Sequence, residues 1–229
     1  MRGTVIALAL LAAASPLMAQ GGGQQQGKES DPTKKVAGGV SAPGWQARLD
    51  DKDAGNYTVN DTKLSVMGPG LHVTSGPAAI YYDAKKAQKN SPFTISATFG
   101  QRVAPQHPEA YGLFMAGRDL GDAAKQTYVY FLVRGNGQYF IAHRAGPDVH
   151  KIFNWTPSDA VKPQDEKGAA SNALSIAAGT DSVRFLVNGK QVAAIARTEI
   201  TDVSGQAGIR VNHNLDVHIG GFEIKPAVK

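Results

Sequence analysis

The chain has 229 residues, with 24 Lys and Arg against 19 Asp and Glu, and no cysteine. The missing cysteine excludes a disulfide scaffold, a Cys-ligated zinc site, an iron–sulfur cluster and a cysteine nucleophile. A hydrophobic share of 42% supports a packed core, and the net charge of +5 is scattered rather than gathered into the basic footprint that nucleic-acid binding needs.

In chain order, residues 1–19 read as a signal peptide. Arg2 supplies the positive start, residues 5–14 an apolar run, Ser15-Pro16 a break, and Ala19 a small residue before the cut. The run is too short to span a membrane, which takes about 20 apolar residues, and no later stretch is long enough. The expected location is the bacterial periplasm or the medium, with no membrane span after cleavage. Residues 20–37 are Gly- and Gln-rich, then charged, and read as a flexible linker. One domain is expected over 38–229.

That domain reads as strand after strand. Phe93, Ile95, Ala97 and Phe99 alternate with Thr94, Ser96 and Thr98, a period of two. Short runs at 64–67, 70–74 and 78–82 precede this strand. Runs at 111–116, 128–134, 138–144, 173–177, 183–187, 191–196, 208–211 and 216–224 follow it. Residues 84–89 allow one turn of helix and no more. Asn188-Gly189 and Gly135-Asn136-Gly137 each lie between two strands and mark hairpins, because they supply the positive φ angles of tight turns. Many short strands with such turns mean an antiparallel β-sandwich or barrel.

The second hairpin carries the site expectation. Strand partners opposite one another share a face. A two-residue loop puts Tyr128, Tyr130 and Arg134 on one face with Tyr139 and His143, leaving Phe131 and Phe140 on the other. A three-residue loop flips the second strand and sends His143 to the core. With the two-residue loop, the first face offers flat rings with polar tips, a guanidinium and an imidazole, which suits sugar recognition. Trp155 and His213 are further candidates at the rim. The candidate ligand-binding set is therefore Tyr128, Tyr130, Arg134, Tyr139, His143, Trp155 and His213.

Other chemistry is poorly signalled. Asp51-Lys-Asp53-Ala-Gly55 begins like a calcium loop, but the glycine comes one position early and Thr62 stands where the closing Glu belongs. The six histidines form no His-Glu-x-x-His motif, and no Gly-x-Ser-x-Gly elbow is present. Neither a metal nor a cofactor is expected.

The segments 111–117, 128–134, 137–144, 172–176, 185–190, 208–213 and 217–222, in that order, resemble the concanavalin A-like lectin/glucanase superfamily. Within it they resemble secreted bacterial members near the 3-keto-disaccharide hydrolase-like group. The resemblance covers roughly 44–226. It implies an all-β, antiparallel two-sheet jelly-roll sandwich, with glycans on the concave face or rim in members that bind them. The chain departs from glucanase members in lacking their Glu-x-Asp-x-x-Glu strand, which places two carboxylates on one face. The expectation is an exported carbohydrate-binding β-sandwich with a glycan or polysaccharide partner. The alternatives are a hydrolase of a glycoside or modified disaccharide, and a cell-envelope interaction module.

Overall fold

The computed structural model describes residues 32–50 and 55–226. The expected leader, the linker up to residue 31, and Asp51 and Asp53 lie outside the described residues. Fifteen strands follow one another: β1 (Gly39–Val40), β2 (Trp45–Leu49), β3 (Lys63–Met67), β4 (Gly70–Thr74), β5 (Ala79–Gln88), β6 (Phe93–Gln101), β7 (Ala110–Arg118), β8 (Thr127–Arg134), β9 (Gln138–Ala145), β10 (Asp148–Pro157), β11 (Ala170–Ala178), β12 (Ser182–Val187), β13 (Lys190–Ala196), β14 (Gly205–Val211) and β15 (Asp216–Pro226). They form an eight-stranded sheet, β1-β3-β4-β15-β6-β11-β12-β13, and a seven-stranded sheet, β10-β9-β8-β7-β14-β5-β2. All pairings are antiparallel except β1 with β3.

The period-two pattern places the core. On β6, Phe93, Ile95, Ala97 and Phe99 are buried, and Thr94, Ser96 and Thr98 are not. Their β11 partners include Ala178, Ile176 and Leu174, so one face of the eight-stranded sheet is apolar. It meets the inner face of the seven-stranded sheet. Phe131 packs on Phe185 with ring centroids 5.4 Å apart, and Phe99 stacks on Tyr111 at 5.3 Å. Each such side chain contributes about 1.5–3 kcal/mol when taken from water. Two tyrosine hydroxyls in this layer are paired: Asn172 Nδ2 donates to Tyr111 OH at 3.3 Å, and Thr62 Oγ1 and Tyr81 OH lie 2.5 Å apart. Burial pushes the pKa of both phenols up, and their hydrogen bonds oppose it.

Asn188 and Gly189 have φ of 50° and 79°, as the Asn-Gly hairpin expectation requires. The other hairpin corrects the expected register. Its loop has three residues: Arg134 pairs with Gln138 and Val133 with Tyr139. Gly137 has a φ of 81° and donates its N–H to Arg134 O at 3.1 Å. A left-handed third residue is what closes a three-residue loop. One added residue flips every β9 side chain. Tyr139, Ile141 and His143 therefore share the inner side with Val129 and Phe131, while Phe140, Ala142 and Arg144 join Tyr128 and Tyr130 on the outer side.

Residues 84–89 also differ from expectation. They extend β5 instead of turning into helix, because Ala87 and Gln88 pair with Gln206 and Gly205 of β14. β2 and β10 are the two edges of the seven-stranded sheet. Their mixed, half-exposed sequences show no clean alternation, and β10 carries two register shifts.

Candidate functional site

The outer face of the seven-stranded sheet carries a second apolar cluster. It is a chain of rings across five strands. Successive centroids are separated by 6.3 Å (Tyr82 to Phe114), 5.4 Å (Phe114 to Tyr128), 5.6 Å (Tyr128 to Tyr130), 5.9 Å (Tyr130 to Phe140) and 4.9 Å (Phe140 to Trp155). The rings cover one another, so Tyr128 is 1% and Tyr130 5% exposed. These tyrosines are not the open stacking platform that alternation suggests. They are the backing of a site whose opening lies where the chain of rings ends, at Trp155.

There a cavity of about 260 Å³ opens between the start of β7 and the ends of β8 and β14. Arg134 closes β8 and lays its guanidinium over the Trp155 ring, with Cζ 4.1 Å from the centroid. Its Nε donates to Asn136 Oδ1 at 3.0 Å and to Gln138 Oε1 at 2.9 Å, and Nη2 also donates to Gln138. Glu109, just before β7, is buried, and its Oε1 lies 3.3 Å from both His107 Nδ1 and His213 Nδ1. His213 reaches it because β14 pairs with β7, and Asn212 N donates to Ala110 O at 2.8 Å.

The cavity floor is a buried ion pair. Arg210 Nη1 and Nη2 donate to Asp50 Oδ1 and Oδ2, each at 2.7 Å, and Nη1 donates to Tyr128 OH at 3.2 Å. Arg144 Nη2 lies 3.6 Å from Asp50 Oδ1. Arg210 Cζ also sits 5.0 Å from the Tyr130 ring centroid. Burial works against the Arg210 charge, but Asp50 and the two phenols outweigh it and hold its pKa well above the ordinary value. Burial pushes the Tyr130 pKa up, while the Arg210 charge pulls it down. Two buried polar atoms of the cavity lining make no hydrogen bond: the donor Arg210 Nε and the acceptor Asn212 Oδ1.

Of the residues singled out from the sequence, Arg134, Trp155 and His213 meet in this cavity. Tyr128 and Tyr130 stand behind it. Tyr139 and His143 are turned away. The Tyr139 hydroxyl donates to Val192 O at 3.1 Å inside the sandwich. His143 Nε2 lies 2.7 Å from Thr127 Oγ1, and its ring stacks on His150 at 5.9 Å. Asp50, His107, Glu109, Arg210 and Asn212 were not foreseen as site residues. One signal was present for Arg210, a charged residue inside the apolar run of β14. Asp50 lies 160 positions away, and nothing local links the two.

A second cavity, of about 280 Å³, lies beside Trp45 and Phe222. Its lining is mostly apolar, with the Asp83–Lys86 pair at 3.4 Å. Among the described residues, no group of three His, Asp or Glu side chains is placed to hold a metal ion.

No family model matches the chain, and no curated protein matches its sequence. Solved structures do match in shape. A Bacillus subtilis protein of unknown function with a galectin-like fold superposes with a TM-score of 0.58 at 13% identity, covering 81% of this chain and 90% of that one. The laminarinase catalytic domain of Thermotoga maritima gives 0.55 at 13% identity, covering 86% and 97%. The carbohydrate-binding module CBM66 of Bacillus subtilis gives 0.54 at 13% identity, covering 81% and 98%. The fold is a jelly-roll β-sandwich. These solved structures share it, and at these identities the likeness speaks for the fold alone.

Proposed function

We propose that this protein is an exported carbohydrate-binding β-sandwich whose site is the cavity at Trp155. One observation carries the reading: the cavity sets an arginine lying over an indole, Arg134 on Trp155, beside Glu109, Asn212 and His213 and above the buried Asp50–Arg210 pair. A ring with an apolar face and polar groups around it is what a saccharide needs, because its C–H faces stack and its hydroxyls both donate and accept. The buried Asp50–Arg210 pair holds the floor in place without a moving part. The carbohydrate-binding module and laminarinase neighbours are consistent with a sugar partner. The leader composition of residues 1–19 supports export to the periplasm or medium.

The test is a glycan array probed with the exported chain, followed by calorimetry on the hits. Binding that is lost in Trp155→Ala supports the reading. An array with no hit at millimolar sugar contradicts it.

A hydrolase acting on a glycoside or modified disaccharide, as the 3-keto-disaccharide hydrolase-like resemblance implies, is the second reading. It is favoured by the presence of two carboxylates, Asp50 and Glu109, in one cavity. Both are already engaged, Asp50 by two guanidiniums and Glu109 by two imidazoles. That engagement suits binding better than proton transfer. Release of reducing sugar from a bound glycan, abolished in Glu109→Gln, would establish the hydrolase instead.

A further inference from the structure

Resting on the saccharide reading above, we infer that the bound sugar is acidic, and that Arg134 takes its carboxylate or sulfate. The carboxylates of the cavity have partners. Asp50 accepts both arms of Arg210 and faces Arg144. Glu109 holds His107 and His213 on one oxygen. Arg134 has no such partner. Among the described residues no carboxylate lies within 4.0 Å of it. Its hydrogen bonds go to two neutral amides, Asn136 and Gln138.

The setting makes that lone cation informative. Arg134 is half-buried, and loss of water lowers its pKa, opposed by the charge of Glu109. A partly desolvated guanidinium with no carboxylate in direct contact, its charge offset only at longer range by Glu109, favours an added anion. Arg134 lies over the Trp155 ring, and its hydrogen bonds to Asn136 and Gln138 fix the fork before any ligand arrives. Nε and Nη2 are occupied by Asn136 and Gln138, which leaves Nη1 to donate to a ligand. Hydrogen bonds to charged groups are the strong ones, so the acid group is the feature that separates this ligand from a neutral sugar.

Calorimetry on the full exported chain tests this with three sets of oligosaccharides. They are uronic-acid trimers, sulfated galactan trimers, and the carboxyl-reduced or desulfated counterparts of each. At least one acidic set is expected to bind about tenfold or more tighter than its neutral counterpart. That advantage, read as the ratio of acidic to neutral affinity, should fall about tenfold in Arg134→Gln. Whichever acidic set wins identifies the anion. A measurement on the unaltered protein covers the case in which Arg134→Gln fails to fold. Raising salt from about 50 mM to about 500 mM should weaken acidic ligands and spare neutral ones. Equal affinity for acidic and neutral sugars overturns the inference and leaves the saccharide reading standing. An acidic preference that persists undiminished in Arg134→Gln overturns the role of Arg134. Failure of every set to bind overturns both.

Discussion

Two of the cavities among the described residues have a tryptophan in the wall and are close in size, about 260 Å³ at Trp155 and about 280 Å³ at Trp45. They differ in what surrounds that ring. Trp45 meets Phe222 edge-on at 5.1 Å and packs against the core. Trp155 ends a chain of rings and carries a guanidinium, with an ion pair beneath the cavity. Volume alone does not distinguish a binding site from a packing gap. The chemistry of the lining does: Arg134, Glu109 and His213 surround one ring, and mostly apolar side chains surround the other.

The comparison breaks most readily at the ion pair. Arg210→Ala takes the bidentate partner away from Asp50. It should cost about 3–5 kcal/mol in a urea melt. A loss under about 1 kcal/mol would show that the floor is not held as described. Tyr130→Ala opens a hole in the buried ring chain and should cost about 3 kcal/mol. Unchanged stability would mean the ring is on an open surface after all. Trp155→Ala should weaken saccharide binding about tenfold or more by releasing Arg134, and Trp45→Ala should leave binding alone while lowering stability by about 2 kcal/mol. The reverse pattern would move the site to the apolar cavity.

The smallest effect concerns pH. Loss of water, then the neighbouring His150, lower the His143 pKa below its ordinary 6.5 in the folded chain. The unfolded chain therefore binds more protons between that lowered value and about 6.5. Stability contributed by neutral His143 is complete above about 6.5 and is lost as pH falls through this window. His143→Asn should flatten the dependence. A stability that rises on acidification through the same window would contradict the placement of His143.

Most of the fold was legible because burial acts on a period of two. The β6 alternation and the Asn188-Gly189 turn state their geometry within a few residues. The register of β8 and β9 was not legible to the same degree. Gly135 and Gly137 both tolerate a left-handed conformation, and which one adopts it decides the parity of all that follows. Arg134, Trp155 and His213 stood out singly as polar or aromatic residues at strand ends. Their convergence, and the pairing of Arg210 with Asp50 across 160 positions, come from the order of strands in the sheet. No local pattern encodes that order.

The chain has two tryptophans, one at each cavity. Their indole N–H resonances in a nitrogen-15 spectrum therefore report on the two regions separately. Titration with the best-binding saccharide should shift the Trp155 indole signal along a saturable curve and leave the Trp45 signal in place. A saturable shift confined to Trp45, or none at either ring while calorimetry records binding, would contradict the assignment of the site to the cavity formed by Arg134, Trp155 and the Asp50–Arg210 floor.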